Sequence, residues 1–319
     1  MVQAFYELHS NGLCYRDISF GNGFFDVNNG DVVICDNDNV TANNAEIKTV
    51  LGTPDFMAPE IVVRKARPSR ETDYFSLSVL LFYLLHIQHP LTGKKILSIR
   101  SWDLPAREKL YGKEPVFIFD PNDTSNAAID DKKIDPLGEA GRNAIPYWND
   151  IYPTVLKNAF MQNFTTGIRN PQERVLGSAW KDVLTEARDS IFSCENCGSD
   201  NFFDSKIGAK NCWSCKKICR PKFQFELGDH KIALAPGTKI YKFHIENRSA
   251  DSQSPVVGEV VQHPHRPEVW GIKNLTKSTW AAQPDGKGMV EVPHGKSVPV
   301  FNGTKVTMGN RSGTIRSQA

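Results

Sequence analysis

The stretch YRDISFGN sets Asp17 and Asn22 five residues apart in a glycine-containing segment near the amino terminus. A carboxylate and an amide at that spacing can face one ligand, the Asp beside a hydroxyl proton and the Asn beside a metal-bound phosphate. The same residue types also cap turns, and on their own they do not choose between the two roles. A second carboxylate, Asp36, follows the apolar run VVIC and so falls just past the end of a predicted strand. Further along, CENC and CWSC place Cys194, Cys197, Cys212 and Cys215 in two C-x-x-C knuckles with fourteen residues between them. Four thiolates so spaced can enclose one Zn²⁺ tetrahedrally, and with every position filled by protein the metal is structural. A redox or iron–sulfur role is the competing reading, and Cys219 is left over from the set.

The elements that must position these residues differ along the chain. Up to about residue 190 the apolar spacing is helical at 79–85, 152–164 and 180–191, with a hairpin predicted where two β-prone runs flank the turn signal in GFFDVNNGDVVICD. An Asp, Asp73, opens the hydrophobic run TDYFSLSVLLFYLL, and the part at 75–87 is too short to cross a bilayer, which predicts a buried helix. Residues 92–149 mix Pro, Gly, Asp and Lys and read as irregular with short helices. After residue 222 short strand-like runs, beginning with KIALAPGTKIYKFHI, are punctuated by Gly, Pro and Asn and predict an all-β tail, a small sandwich.

A net charge of +2 is too small to imply a nucleic-acid or membrane partner for the whole molecule, and no basic, apolar and small-residue succession opens the chain as a secretory signal would. Five of the seven cysteines fall in one short segment, which suits metal binding in a reducing compartment better than a spread disulfide framework. A cytoplasmic protein with no membrane partner is the expectation.

With these elements in place, residues 1–190 resemble the C-terminal lobe of a eukaryotic-type serine/threonine protein kinase. YRDISFGN is similar to the catalytic loop H-R-D-x-x-x-x-N with Tyr15 in place of the His, CDND stands where D-F-G is expected, and APE is intact in GTPDFMAPE. TDYFSLSVLL is similar to the helix after the activation segment, and NPQERV to the lobe's closing stretch. The resemblance implies ATP- and Mg²⁺-dependent phosphoryl transfer to a hydroxyl of a protein substrate. It implies that Asp17 orients the hydroxyl proton, that Asn22 and Asp36 hold magnesium, and that Thr53 supports Asp17. Arg16 would bind an activation-segment phosphate or acidic side chain, with Thr41 and Thr49 as candidate phosphosites. Glu60 would pair with Arg174, and Asp73 would be structural.

The sequence departs from the family pattern in places. Ser19 stands where such kinases carry Lys, and Asn37 and Asp38 replace Phe and Gly, which leaves Asp38 as an alternative metal ligand to Asp36. No glycine-rich loop, strand Lys or helix Glu precedes Tyr15, and MVQAFYELHSNGL is similar to the end of the helix leading into the catalytic loop. The expectation is therefore a chain without its N-terminal lobe, either a truncated kinase or a relic that acts as a scaffold.

The expected organisation is thus multi-domain: a mainly α kinase-like lobe at 1–190, a Cys₄ zinc ribbon at 191–222 and an all-β domain at 223–319. The last resembles the second half of a forkhead-associated domain, which implies a phosphoprotein partner, with Arg266, His263 and His265 near the family's phosphothreonine-binding positions. A sandwich that binds protein in another way is the alternative. The histidines of QHPHRPE and VPHG could hold a metal, although isolated surface histidines fit as well. The basic segment KNCWSCKKICRPK with Trp213 offers nucleic acid as a further partner, against a solvated basic face.

Overall fold

The run at 75–87 lies in a helix, Arg70–His86, that begins ahead of Asp73. In the computed structural model, which describes residues 1–45, 52–130, 144–246, 250–251 and 253–318, Ser69 caps this helix. The Ser69 N–H donates to the Thr72 hydroxyl at 2.9 Å, so the start is set by a capping box whose Ser lies four residues upstream of the Asp. Phe75, Leu77, Val79, Leu80 and Phe82 are all buried, as expected for a helix that is apolar on every face.

The chain divides into two units, Met1–Tyr152 with Leu156–Trp180, and Pro153–Val155 with Lys181–Ala319. In the first, Phe82 lies edge-on to Phe117, Phe160 and Phe164, and Trp180 packs against Phe160. Apart from Trp180, which lies in the helix Gly177–Asp189, the rings come from the long helix, the helix Thr154–Phe164 and the irregular stretch between them. That stretch consists of short turns such as Lys94–Ser98, Leu104–Arg107 and Thr124–Asn126. Buried Asn126 ties it down by donating to the carbonyls of Leu91 and Val116 at 2.8 and 2.7 Å. The hairpin at 23–36 is present as Gly23–Phe25 paired antiparallel with Val32–Ile34.

The helix predicted over 180–191 runs Gly177–Asp189 and stops short. Ile191–Ser193 is a strand paired with Asp200–Phe202, which launches the cysteine segment. Beyond it are two antiparallel sheets. One has the order His230–Leu234, Phe223–Leu227, Arg311–Ser317, Lys305–Met308, Trp280–Gln283, Val290–Val292. The other has the order Lys239–Tyr241, Val256–His263, Arg266–Asn274, Ser297–Pro299. Phe225, Leu227, Ile315 and Trp280 of the first sheet and Ile240, Val260, Ile272 and Val298 of the second share one core. The cysteine segment has a separate small core of Phe192, Phe203, Cys194, Cys212 and Cys219 with Ala233.

One run departs from its strand reading. KFHI forms a short helix, Lys242–Ile245, because His244 turns back to accept the Tyr241 N–H on Nδ1 at 3.0 Å, capping the helix start. The His244 Nε2–H then points at Asp189 Oδ2, 3.1 Å away, while Arg188 donates to Asp189 Oδ1 at 3.1 Å. His230 Nδ1 lies 3.7 Å from the same carboxylate, so three candidate ligands cluster there. Both His244 nitrogens are already engaged, by the Tyr241 N–H and by Asp189. Among the described residues no helix is long and apolar enough to cross a membrane.

Candidate active site and cysteine cluster

Asp17 stands at the centre of the first site. Its Oδ1 accepts both the N–H and the hydroxyl of Thr53, each at 2.7 Å, and its Oδ2 accepts from Asn22 Nδ2 at 3.1 Å. The contact with Thr53 depends on Gly52, which has φ +109° and approaches so closely that a Cβ there would lie 2.8 Å from the Arg16 carbonyl oxygen. Any other residue would push Thr53 off the carboxylate.

The loop itself hangs from Asp73. One carboxylate oxygen accepts the Tyr15 N–H at 2.6 Å and His9 Nε2 at 2.9 Å, and the other accepts the Arg16 N–H at 2.9 Å. Asp73 is 1% exposed, so these bonds are made in the interior, where few competing donors exist. Tyr15, also buried, donates its hydroxyl to the carbonyl of Cys35, and the Cys35 N–H donates to Asn22 O at 3.0 Å. These bonds hold the turn that carries Asp36 against the Asp17 loop. Burial, followed by the carboxylates of Asp36 and Asp17, pushes the Tyr15 hydroxyl up to about 12, so it stays a donor.

Asp36 sits exposed at φ 58°, a left-handed conformation that Asp tolerates, with Oδ2 accepting from Asn39 Nδ2 at 2.8 Å. Asn22 uses its nitrogen on Asp17, so its amide oxygen and Asp36 Oδ1 take no hydrogen bond among the described residues. Hard amide and carboxylate oxygens left without a hydrogen bond are the ligand types that Mg²⁺ selects, and the residues present therefore fit a magnesium-bound phosphate.

Arg16 lies differently from its expected role. Its Nε and Nη2 donate to the carbonyls of Asn39 and Asp38 at 2.7 and 3.0 Å, and the side chain is buried. Among the described residues it meets backbone carbonyls and no phosphosite. Thr41 faces the Cys14 thiol at 3.5 Å, and Thr49 lies outside the described residues. Arg174 and Glu60 do meet: the guanidinium grips both carboxylate oxygens at 2.7 and 2.8 Å and also donates to the carbonyls of Glu71 and Gly167. The Arg side chain is fully buried, so the fork ties the Pro59–Val62 turn to the end of the unit.

Residues 1–129 match the protein kinase domain family. The chain is 37% identical over 125 residues to the cell cycle serine/threonine-protein kinase CDC5/MSD2 of Saccharomyces cerevisiae, covering 35% of this chain and 17% of that protein. It is 38% identical over 89 residues to protein kinase C-like 1 of Candida albicans, covering 27% of this chain and 8% of the relative. A longer alignment, 24% identical over 246 residues, joins 70% of the chain to 52% of CBL-interacting protein kinase 3 of Oryza sativa subsp. japonica. The chain therefore matches about half or less of the length of these relatives.

Three residues that shape the kinase-domain segment carry no sequence signal of their own: His9, which meets Asp73 from a separate helix; Gly52, one of many glycines; and Asn39, whose carbonyl takes Arg16. Only the spacing of Tyr15 ahead of Asp17 could have drawn attention to its hydroxyl.

In the second unit the four cysteines do come together, with every sulfur within 4.8 Å of the others. Cys194 Sγ lies 3.8 Å from Cys215 Sγ, and Cys197 Sγ lies 3.7 Å from Cys212 Sγ. Four sulfurs at the usual Zn–S bond length around a tetrahedral ion are separated by about 3.8 Å, so the set fits zinc. Hydrogen bonds from the Ser199 hydroxyl and backbone bring the Cys197 thiol down to about 6, favouring the thiolate. Cys219 is buried beside the cluster, and its thiol is pushed up to about 12, first by burial and then by the neighbouring sulfurs of Cys194 and Cys212. Trp213 keeps 40% of its surface exposed while its indole N–H donates to the Asp200 carbonyl.

Arg266, His263 and His265 lie at the hairpin joining Val256–His263 to Arg266–Asn274, with the His265 N–H donating to His263 Nδ1 at 3.2 Å. The more organised feature of that unit is Asn274, fully buried, which donates to the carbonyls of Ser278 and Val292 and accepts from Thr276.

Proposed function

We propose that the first unit carries the catalytic loop of a serine/threonine protein kinase, moving a phosphoryl group from Mg·ATP to a hydroxyl on a protein. The observation that carries this reading is Asp17, whose Oδ1 is saturated by Thr53 while Oδ2, steadied by Asn22, keeps a lone pair for a substrate hydroxyl. Asp17 orients the acceptor oxygen and takes its proton. The Asn22 amide oxygen and the Asp36 carboxylate hold the metal ion, which supplies charge neutralisation on the phosphate oxygens when bound. Thr53, by bonding Oδ1 of Asp17, fixes the carboxylate's rotation, and its resemblance to the Thr of serine/threonine kinases at this place in GTPDFMAPE favours an aliphatic hydroxyl. Asp73 and the Glu60–Arg174 fork hold the loop and its flanking turn in register.

In the same reading the cysteine segment is a Cys₄ zinc ribbon and the two sheets form a sandwich. Both serve as partner-binding modules, the sandwich for a phosphoprotein through the Arg266 hairpin and the ribbon through its exposed Trp213 face. The test is Asp17→Asn in the whole chain, assayed for ³²P transfer from Mg·ATP to a mixture of protein substrates. Loss of about 10²–10⁴-fold in rate is expected for removal of a proton-accepting group. Transfer that does not depend on Asp17, or none from either form, would leave a scaffold as the reading.

A further inference from the structure

Where the helix Gly177–Asp189 ends, its last residues share a cleft of about 350 Å³ with the strand Ile191–Ser193, with Asp200 of the paired strand and with the segment 235–241. Arg188 is clamped there. Its guanidinium lies 4.4 Å over the Tyr241 ring and donates one N–H to Asp189 Oδ1 at 3.1 Å, which leaves further N–H groups and 41% of the side chain uncovered. Lys239 lines the same cleft. Ile240, between it and Tyr241, is fully buried in the core of the two sheets, so its neighbours turn the other way. The Lys239 ammonium makes no hydrogen bond or ion pair among the described residues, and Glu259, its cross-strand neighbour, does not line the cleft.

The two acidic groups of the lining are not equivalent. Asp189 is spent, with Oδ1 on Arg188 and Oδ2 on the His244 Nε2–H at 3.1 Å. Asp200 is exposed, and while its Oδ1 accepts the Ser193 hydroxyl at 2.9 Å, its Oδ2 takes no hydrogen bond among the described residues. The lining also includes Phe192, Ile232 and Ala233, all buried. One free carboxylate oxygen, a free ammonium beside a guanidinium, and an apolar patch therefore open on a single cleft. An ion of one sign would meet a like charge there as well as an opposite one, whereas a ligand that carries both signs satisfies both. The volume stands at the low end of the range of about 300–1,000 Å³ for small-molecule sites, which suits a ligand of amino-acid size.

We propose that this cleft binds a free α-amino acid with an apolar side chain, Leu, Met or Phe. The α-carboxylate meets Lys239 and Arg188, the α-ammonium meets Asp200, and the side chain covers Phe192, Ile232 and Ala233. Every lining residue belongs to the second unit, so the site is independent of the phosphoryl-transfer reading.

The experiment is isothermal titration calorimetry on the whole chain with L-Leu, L-Met and L-Phe, and with analogues of each that lack one charge. The N-acetyl amino acid has no ammonium, and the amino-acid amide has no carboxylate. At least one of the three amino acids should bind with a Kd of about 1 mM or tighter, and each of its analogues about tenfold more weakly or worse. In Asp200→Asn the amino acid and its N-acetyl form should bind alike, and in Lys239→Gln the gap between the amino acid and its amide should narrow. Both substitutions fall at exposed positions, and thermal melts establish that the variants are folded. No binding of any of the three amino acids, an analogue that binds as tightly as its parent, or a gap that its substitution leaves unchanged would overturn the proposal. Inorganic phosphate bound more tightly than the amino acids would overturn it as well, and reduce the cleft to an anion site.

Discussion

The two candidate sites are built on opposite plans. Around Asp17 the exposed groups are held by buried charges far away in sequence: Asp73 grips the loop from inside a buried helix, and Arg174 closes on Glu60 across 114 positions. The cysteine cluster draws all four ligands from residues 194–215 and rests on a core of a few side chains. The first arrangement takes its rigidity from the folded core. A small core that orders little apolar surface cannot do so, and on the proposed zinc reading a bound ion would supply the rigidity. If the proposed metal binds, a buried ion pair and a metal solve the same problem of fixing a turn at different ranges along the chain.

The largest effect should fall on the second plan. Elemental analysis is expected to find one zinc per chain, and a strong chelator should cost the cysteine segment on the order of 10 kcal/mol of folding free energy. Hydrogen exchange would then rise across residues 191–219 and stay unchanged in the helix Arg70–His86. A chain that holds no zinc and keeps its protection would break the contrast.

Next comes Asp73→Ala, which strands the Tyr15 and Arg16 N–H groups and the His9 ring in the interior. Its expected cost is about 3–5 kcal/mol by urea denaturation, the range for removing one partner of a buried charged network. A loss below about 1 kcal/mol would mean that the loop is not held from the helix.

A smaller effect is set by pH. Burial lowers His86 and His89 from 6.5 to about 3. His89 is a neutral ring on both sides: Nδ1 accepts the Leu91 N–H at 3.0 Å and Nε2 donates to the Asp55 carbonyl at 2.8 Å. As the pH falls below 6.5 the unfolded chain takes up these protons and the folded one does not. Stability is therefore full above that value and declines toward pH 3 by about 1.4 kcal/mol per pH unit for each histidine. Urea midpoints of the first unit between pH 7.5 and 5.5 measure it, and His86→Phe should remove about half of the slope.

The smallest is Arg266→Ala. Exposed at a hairpin, the side chain should matter by no more than about 0.5 kcal/mol to stability. A phosphothreonine peptide that binds there should nevertheless lose affinity. Indifference of both would remove the hairpin as a phosphate site.

Much of this was legible in the sequence where the signal is local. The C-x-x-C knuckles, the hairpin at 23–36 and the buried run at 75–87 each carry their own period or spacing, and Asp17, Asn22, Thr53 and the Glu60–Arg174 pair could be placed once a family pattern aligned them. Positions set by tertiary contact were hidden. The helix starts at Arg70 because Ser69 and Thr72 close a cap, and KFHI turns helical because His244 finds the Tyr241 N–H. Arg16, expected to await a phosphate, instead meets the Asp38 and Asn39 carbonyls because the backbone of a distant turn passes within its reach. His9 and Gly52 matter only through what they approach in space, which no spacing along the chain encodes.

The bonds from Tyr15 and Arg16 to Asp73 also set a clock. Loop amides ordinarily trade their protons with solvent through small local openings, yet these two point at a buried carboxylate in the first turn of the long helix. Releasing either requires that helix to part from the loop, so their exchange should follow the slow opening of the core rather than the fast breathing of the turns on either side. Two backbone protons would then report whether the whole first unit is folded.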